Sequence, residues 1–459
     1  MRASLLLLLI VIVLLAAPAD AQSTLTFARV MDRTDLPVTG FAVVNPGTES
    51  ASVAYSLRAS DGRTVRSITL DVPAGGQSAR LGRELFPDAP AGGWVQVTSL
   101  ASNLRGFWLG DFTTFSDGAE AQAGAAEMVL PVVSANSEIH IVNPTSSNQV
   151  ILIRLIGSEG QEITDPEIRL LSAQGSYRTK SAALFTAPEV ALATHVRVSC
   201  SSCAAAIMLT DYLAAPSLAV ANGTSLAATA KELYFPHVVQ GSLGGLEYST
   251  VVSITNLTAS EQVLTLTFAA ESGTAPTTVV RTLSANGTLR ETADAVFGLS
   301  GFQNGWIKVT GEQPIAGAVV YAEATNRGVA VTPGLSRLAA DLFLGHIAEL
   351  SPWWTGIALL NPGSNTALID IYAISPSGAR IGSAQIALAG GAKIARLLNE
   401  WIPETGRRAS GNDGGFVYLR SSEPILGLEL FFRRDLRVLS NVPAFVFGPG
   451  ERFIPPPPQ

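Results

Sequence analysis

The chain reads TGFAVVNPGTE at residues 39–49 and TGIALLNPGSN at residues 355–365. Two looser versions, SEIHIVNPTSS at residues 137–147 and TVVSITNLTA at residues 250–259, lie between them. The shared asparagines are Asn45, Asn143, Asn256 and Asn361. The phrase thus returns after roughly one hundred residues, which is too long for a solenoid repeat and suits small domains in tandem.

Other landmarks keep step with the asparagines. A glycine stands seventeen residues after each one: Gly62, Gly160, Gly273 and Gly378. Glycine takes positive φ without a Cβ clash, so each marks a tight hairpin turn. Further on comes a short helical phrase, ARLGRELFP at residues 79–87 and ARLLNEWIP at residues 395–403, with weaker copies ending ALFT at 183–186 and AVFG at 295–298. An aromatic ring then opens a later strand, at Trp94, His195, Trp306 and Phe416. Four landmarks in register define four copies of one unit.

Each copy reads as strands. FAVVNP is a strand that stops at proline, which donates no ladder hydrogen bond and restricts the residue before it. SVAYSLRAS and VRSITLDVP flank the Asp61–Gly62 turn and alternate as a hairpin should. After the one-turn helix, GWVQVTS and RGFWLGDF read as a second hairpin. With the strand preceding each asparagine phrase, a copy holds about six or seven strands, the number a two-sheet sandwich requires. This arrangement resembles the tandem immunoglobulin-like β-sandwich repeats of bacterial secreted and surface proteins. The resemblance implies an all-β chain of four such domains, each with one short helical turn, and brings no active site with it. The expected spans are residues 23–121, 127–223, 231–334 and 340–448, with a Pro-rich tail at 449–459. Four domains of ~35–40 Å laid end to end would reach ~140–160 Å, a shape suited to a spacer.

Composition narrows the class. Hydrophobic residues make up 47% and charged residues 15%, as in a folded chain. A net charge of −7 supplies no basic field, so nucleic acid is not an expected partner. Arg2 precedes an apolar run over residues 5–15, and Ala19-Asp20-Ala21 has the form of a signal-peptidase site, so residues 1–21 read as a signal peptide. The run is shorter than the ~20 residues of a spanning helix, and the mature chain is expected to be secreted or at the cell surface, not integral to a membrane.

Candidates for chemistry are few. The only cysteines, Cys200 and Cys203, occupy the slot taken by GEQP (311–314) and SSEP (421–424) in later copies. They lack the other two ligands a zinc site needs and are assigned to a local disulfide across a turn. The four histidines, His140, His195, His237 and His346, are at most two to a copy, too few for a metal site. Asp61, Asp117 and Asp413 each precede a glycine, which is turn chemistry and not a calcium loop. No Gly-x-Ser-x-Gly, HExxH or phosphate-cradling loop appears. No catalytic residue, metal or cofactor is therefore expected. Asn222, Asn256 and Asn286 stand in glycosylation sequons. Adjacent rings at Trp353 and Trp354 are the remaining lead for ligand binding, since neighbours on a strand face opposite ways. The expected function is a non-catalytic structural spacer, scaffold or adhesin with an extracellular protein or polysaccharide as partner. A carbohydrate-binding accessory protein using exposed aromatics is the alternative, and a secreted hydrolase stands third.

Overall fold

The computed structural model describes residues 23–112, 115–212, 217–273, 275–325, 328–349, 351–407, 414–433, 439–447 and 453–457. The apolar leader and Asp413 lie outside the described residues, as does most of the Pro-rich tail.

The first copy contains β1 (Ser23–Thr26), β2 (Thr39–Val44), β3 (Ala51–Arg58), β4 (Thr64–Val72), β5 (Gln77–Leu81), the helical turn α1 (Gly82–Leu85), β6 (Trp94–Ser99), β7 (Arg105–Phe112) and β8 (Phe115–Glu120). One sheet runs β1-β6-β3-β4 and the other β5-β2-β7-β8, all antiparallel. The alternation of β3 buries Ala51, Val53, Tyr55 and Leu57 between the sheets and leaves Ser52 outside. Phe27, Phe41, Trp94 and Trp108 fill the same core, and the two Phe rings meet edge to face at 5.4 Å.

The expected second hairpin is not formed. β6 pairs with β1 and β3, whereas β7 pairs with β2 and β8. The connection between them carries the chain from one sheet to the other, which lets Trp94 and Trp108 meet in the core from opposite layers. In the second and fourth copies the same segment is one long strand, Ala193–Leu209 or Phe416–Arg433, that pairs in both layers. In the third, the hairpin Glu232–Leu243/Leu246–Asn256 joins the layers. Among the described residues the strands consequently form five sheets, two of four strands and three of eight. Each copy has its helical turn, at Gly82–Leu85, Ser181–Leu184, Ala293–Phe297 and Leu398–Trp401, and the second copy adds Ala187–Leu192.

The four asparagines do one job. Each amide donates to the carbonyl four residues on, Asn45 to Glu49 at 2.8 Å and Asn143, Asn256 and Asn361 to Ser147, Ser260 and Asn365 at 2.7 Å. Each also donates to a carbonyl of the turn that ends the hairpin, such as Val72 at 3.1 Å or Ser284 at 2.8 Å. Each Oδ1 accepts the N–H two residues on, at 3.0 Å for Gly47, Thr145 and Thr258 and 3.1 Å for Gly363. One buried side chain thereby satisfies a loop that lacks ladder partners.

The copies are not strung end to end. The first packs against the second and also against the fourth, so the four close into a ring. Ser176 N–H donates to Ser60 O at 3.0 Å, Thr288 N–H to Ser158 O at 2.8 Å, and Gln77 N–H to Pro376 O at 3.0 Å. These are equivalent bonds from copy two to one, three to two, and one to four. Gly62, Gly160 and Gly378, at φ +88°, +82° and +86°, also approach the next copy so closely that a Cβ would meet a carbonyl oxygen at 1.9, 2.0 and 2.6 Å. At the centre, β8 and its counterparts Ala219–Asn222, Gly328–Pro333 and Leu439–Pro443 pack side by side. Closure removes the length on which a spacer reading relied.

The ring also explains why FAVV and IALL, the phrase in copies one and four, are apolar at every position and do not alternate. Phe41 and Val43 face the core of their own copy, while Ala42 and Val44 pack with Phe107, Phe343 and Phe431 across the joint to the fourth. Val142 of the second copy likewise joins the core cluster of the first. A strand buried on both faces reads as a continuous apolar run.

Candidate functional site at the joints of the ring

Three of the four joints share a backbone frame, and all four differ in side chains. Between copies one and two, buried Arg29 pairs with Asp35 at 3.2 Å, and Arg178 bridges Asp35 at 2.7 Å and Glu138 at 2.9 Å. His140 Nδ1 accepts the Val30 N–H at 2.9 Å. Burial pushes the His140 imidazole down to about 4, so it is neutral near pH 7. Between copies two and three, His195 Nδ1 lies 3.0 Å from Thr288 Oγ1, Arg197 donates to Asn286 Oδ1 at 2.6 Å, and burial pushes His195 down to about 3.

Between copies three and four the equivalent backbone bond is replaced by a side chain. Lys393 stands where Gln77, Ser176 and Thr288 stand elsewhere, and its Nζ donates to Asn304 and to Gly305 O and lies 3.7 Å from Glu271. Burial pushes its ammonium down to about 7, against the pull of Glu271. Trp306 Nε1 donates to Gly391 O at 3.2 Å, the counterpart of Trp94 Nε1 donating to Gln174 O at 2.9 Å.

At the ring centre, Asp117 is fully buried. Its carboxyl accepts the Val220 N–H of copy two at 2.6 Å and the Ser440 hydroxyl of copy four at 2.8 Å. Burial pushes it up to about 8, opposed by these hydrogen bonds. Asp117, read in the sequence as a turn residue, thus ties three copies together at the axis; only its burial reveals this.

Among the described residues, cavities open at several joints, one of them, of about 320 Å³, between Glu159 of copy two and Arg281 and Glu291 of copy three. Another of about 600 Å³ sits at one end of the axis, between Arg105 and Glu120 of copy one and Arg337 at the end of copy three. A third of about 520 Å³ lies between copies three and four, walled by Tyr248, Phe302, Tyr321 and Phe432. A fourth of about 250 Å³ lies between copies four and one, walled by Phe41, Phe107, Trp353 and Phe431.

The residues singled out in the sequence fall as follows. Cys200 and Cys203 are bonded, with Cα atoms 6.3 Å apart. They lie at the register shift where strand Ala193–Leu209 passes between layers, not in a hairpin turn. Gln149 bridges the same bend, accepting the Ser201 and Ser202 N–H groups. Trp353 and Trp354 are both half-buried at the start of strand Trp353–Leu360. Trp353 packs against the joint to copy one, and Trp354 meets Phe432 edge to face at 5.7 Å. Asn256, one of the sequon residues, is fully buried and engaged in the loop described above. Among the described residues, no group of three or more His, Cys, Asp or Glu side chains is placed to hold a metal ion. No helix among them is long and apolar enough to cross a membrane.

No family model matches the chain, and no curated protein matches it. Among solved structures, a Thermotoga maritima protein, 1070, is 18% identical over 24% of this chain and 95% of its own, with a TM-score of 0.21. A tetra-tandem repeat from the extending region of a large adhesion protein is 12% identical over 93% of this chain and 100% of its own, with a TM-score of 0.11. The β-glucuronidase of Bacteroides uniformis is 7% identical over 52% of this chain and 27% of its own, with a TM-score of 0.14. Likenesses at this level carry no argument about function.

Proposed function

We propose that the chain is an exported, non-catalytic protein of the cell exterior. In this reading it is a scaffold or adhesin, built of four immunoglobulin-like sandwiches, that presents a single ring to an extracellular protein or polysaccharide. Closure of the ring at Gln77 is the observation that carries this reading. It makes four sandwiches one body and leaves concave sites at the joints, where ligands are commonly held. The export reading draws on Arg2, the apolar run that follows and Ala19-Asp20-Ala21, and on the bond between Cys200 and Cys203, which suits an oxidising compartment. The carbohydrate-binding reading draws on Trp353, which lines the cavity between copies four and one.

The test is a panel of extracellular proteins and polysaccharides presented to the chain from residue 22 onward. Saturable binding without change to the ligand supports the reading. Release of new reducing ends or peptide fragments, proportional to protein and time, would replace it with an enzyme.

A further inference from the structure

Two of the side cavities are the same site built twice. Arg80, Leu81 and Glu84 line the one between copies four and one, and Arg396, Leu397 and Glu400 line the one between copies three and four. These are matching positions of the two strongest helical phrases, ARLGRELFP and ARLLNEWIP. The preceding copy contributes a histidine to each, His346 to one and His237 to the other. Strand register makes these histidines equivalent, because Leu344 faces Val417 as Phe235 faces Ile307. The other two joints lack the histidine. Arg29 occupies the histidine position in copy one and is spent on Asp35, and Val132 occupies it in copy two and is fully buried. Opposite them, Thr179 and Glu291 stand where the two histidine-bearing joints carry arginine.

We infer that the cavity between copies three and four binds a neutral sugar unit of a polysaccharide, and that the cavity between copies four and one is its smaller counterpart. The inference rests on the reading of the chain as an extracellular binding protein. Its volume of about 520 Å³ lies in the ordinary range for small-ligand sites. Tyr248 and Phe302 meet edge to face at 6.1 Å and are only half-buried, unlike the core rings. Such rings offer flat apolar faces to the C–H face of a pyranose. Arg396, Glu400, Asn304 and His237 supply donors and acceptors for hydroxyl groups. One guanidinium and one carboxylate leave little net charge to select an ionic ligand. The smaller cavity, of about 250 Å³ and lined by Trp353, admits less of the polysaccharide.

The experiment titrates the chain from residue 22 onward with soluble neutral gluco-, manno-, xylo- and chito-oligosaccharides by calorimetry, with uronate oligosaccharides as the anionic arm. Saturable binding of a neutral oligosaccharide is expected, weakened at least about tenfold by Tyr248→Ala and by Arg396→Gln and unchanged by Thr179→Ala. Arg396 is exposed, so its variant tests the site even if Tyr248→Ala fails to fold. Binding that survives both variants overturns this site and leaves the binding function standing. Binding confined to the uronates overturns the neutral class. No binding by any sugar overturns the inference, and the extracellular protein panel then decides the broader reading by itself.

Discussion

Gln77 Oε1 accepts the backbone N–H of Gly415 at 2.8 Å, across 338 residues of chain. The amide of the same side chain donates to Gly345 O, so one residue of the first copy holds two backbone segments of the fourth. This is the latch of the ring, and it is buried.

Replacing Gln77 with alanine leaves a buried N–H and a buried carbonyl without partners, at about 1–3 kcal/mol each. The Gln77→Ala variant should therefore lose about 2–4 kcal/mol in denaturant unfolding. X-ray scattering of the wild-type ring should give a radius of gyration near the ~22 Å of a compact body of this length, not the roughly 40 Å of a rod ~140–160 Å long. A rod-like profile would refute closure.

The asparagine loop predicts that the copies respond alike. Asn256→Ala strands the Ser260 and Ser284 carbonyls and the Thr258 N–H, and Asn361→Ala strands the matching set. Each should cost about 2–4 kcal/mol. A loss below about 0.5 kcal/mol in either would show that water serves the loop as well.

Acid should loosen the joint between copies two and three. The folded His195 is depressed to about 3 by burial, then by Arg197, so the unfolded chain binds the proton first. Stability is present above the ordinary histidine range and is lost as pH falls from about 6.5 toward 3, by up to about 1.4 kcal/mol for each pH unit. Comparing His195→Gln with wild type between pH 7 and 4 should show a shallower decline in the variant. Parallel curves would mean that the folded imidazole titrates normally.

Lys393 should act in the opposite range. Its folded value of about 7 lies below that of the unfolded chain, so the unfolded state holds more protons between about pH 7 and 10.5, and stability rises with pH there. Lys393→Met removes that rise. The measurement is the difference in unfolding free energy between variant and wild type from pH 6 to 9, which should shift in favour of wild type as pH increases. A flat difference would place the ammonium in contact with water.

Much of the unit was legible because local chemistry repeats. The asparagines, the positive-φ glycines and the helical phrases each solve a problem inside one copy, so they recur at fixed offsets. The Trp94–Ser99 and Arg105–Phe112 segments misled because a short connection suits either a hairpin or a passage between sheets. Closure was hidden for a different reason. The latch position holds Gln77, Ser176, Thr288 and Lys393, four polar side chains that differ in size and charge. The one visible hint was the absence of alternation in FAVV and IALL, which signals burial on two faces without saying by what. The cavities followed the same rule. ARL was readable as a helix entry, but its histidine partner comes from another copy.

Because three copies dock their turn onto the next one's loop and Lys393 of the fourth reaches the third in place of such a contact, the contacting surfaces are unlike and run head to tail. Such an interface either returns to its start or propagates without limit. Four copies make each step about a quarter turn. A shortened chain of three would therefore carry one unfilled socket and one free plug, and its natural fates would be exchange of copies between molecules or growth into filaments. The fourth copy is thus what keeps the protein a discrete particle.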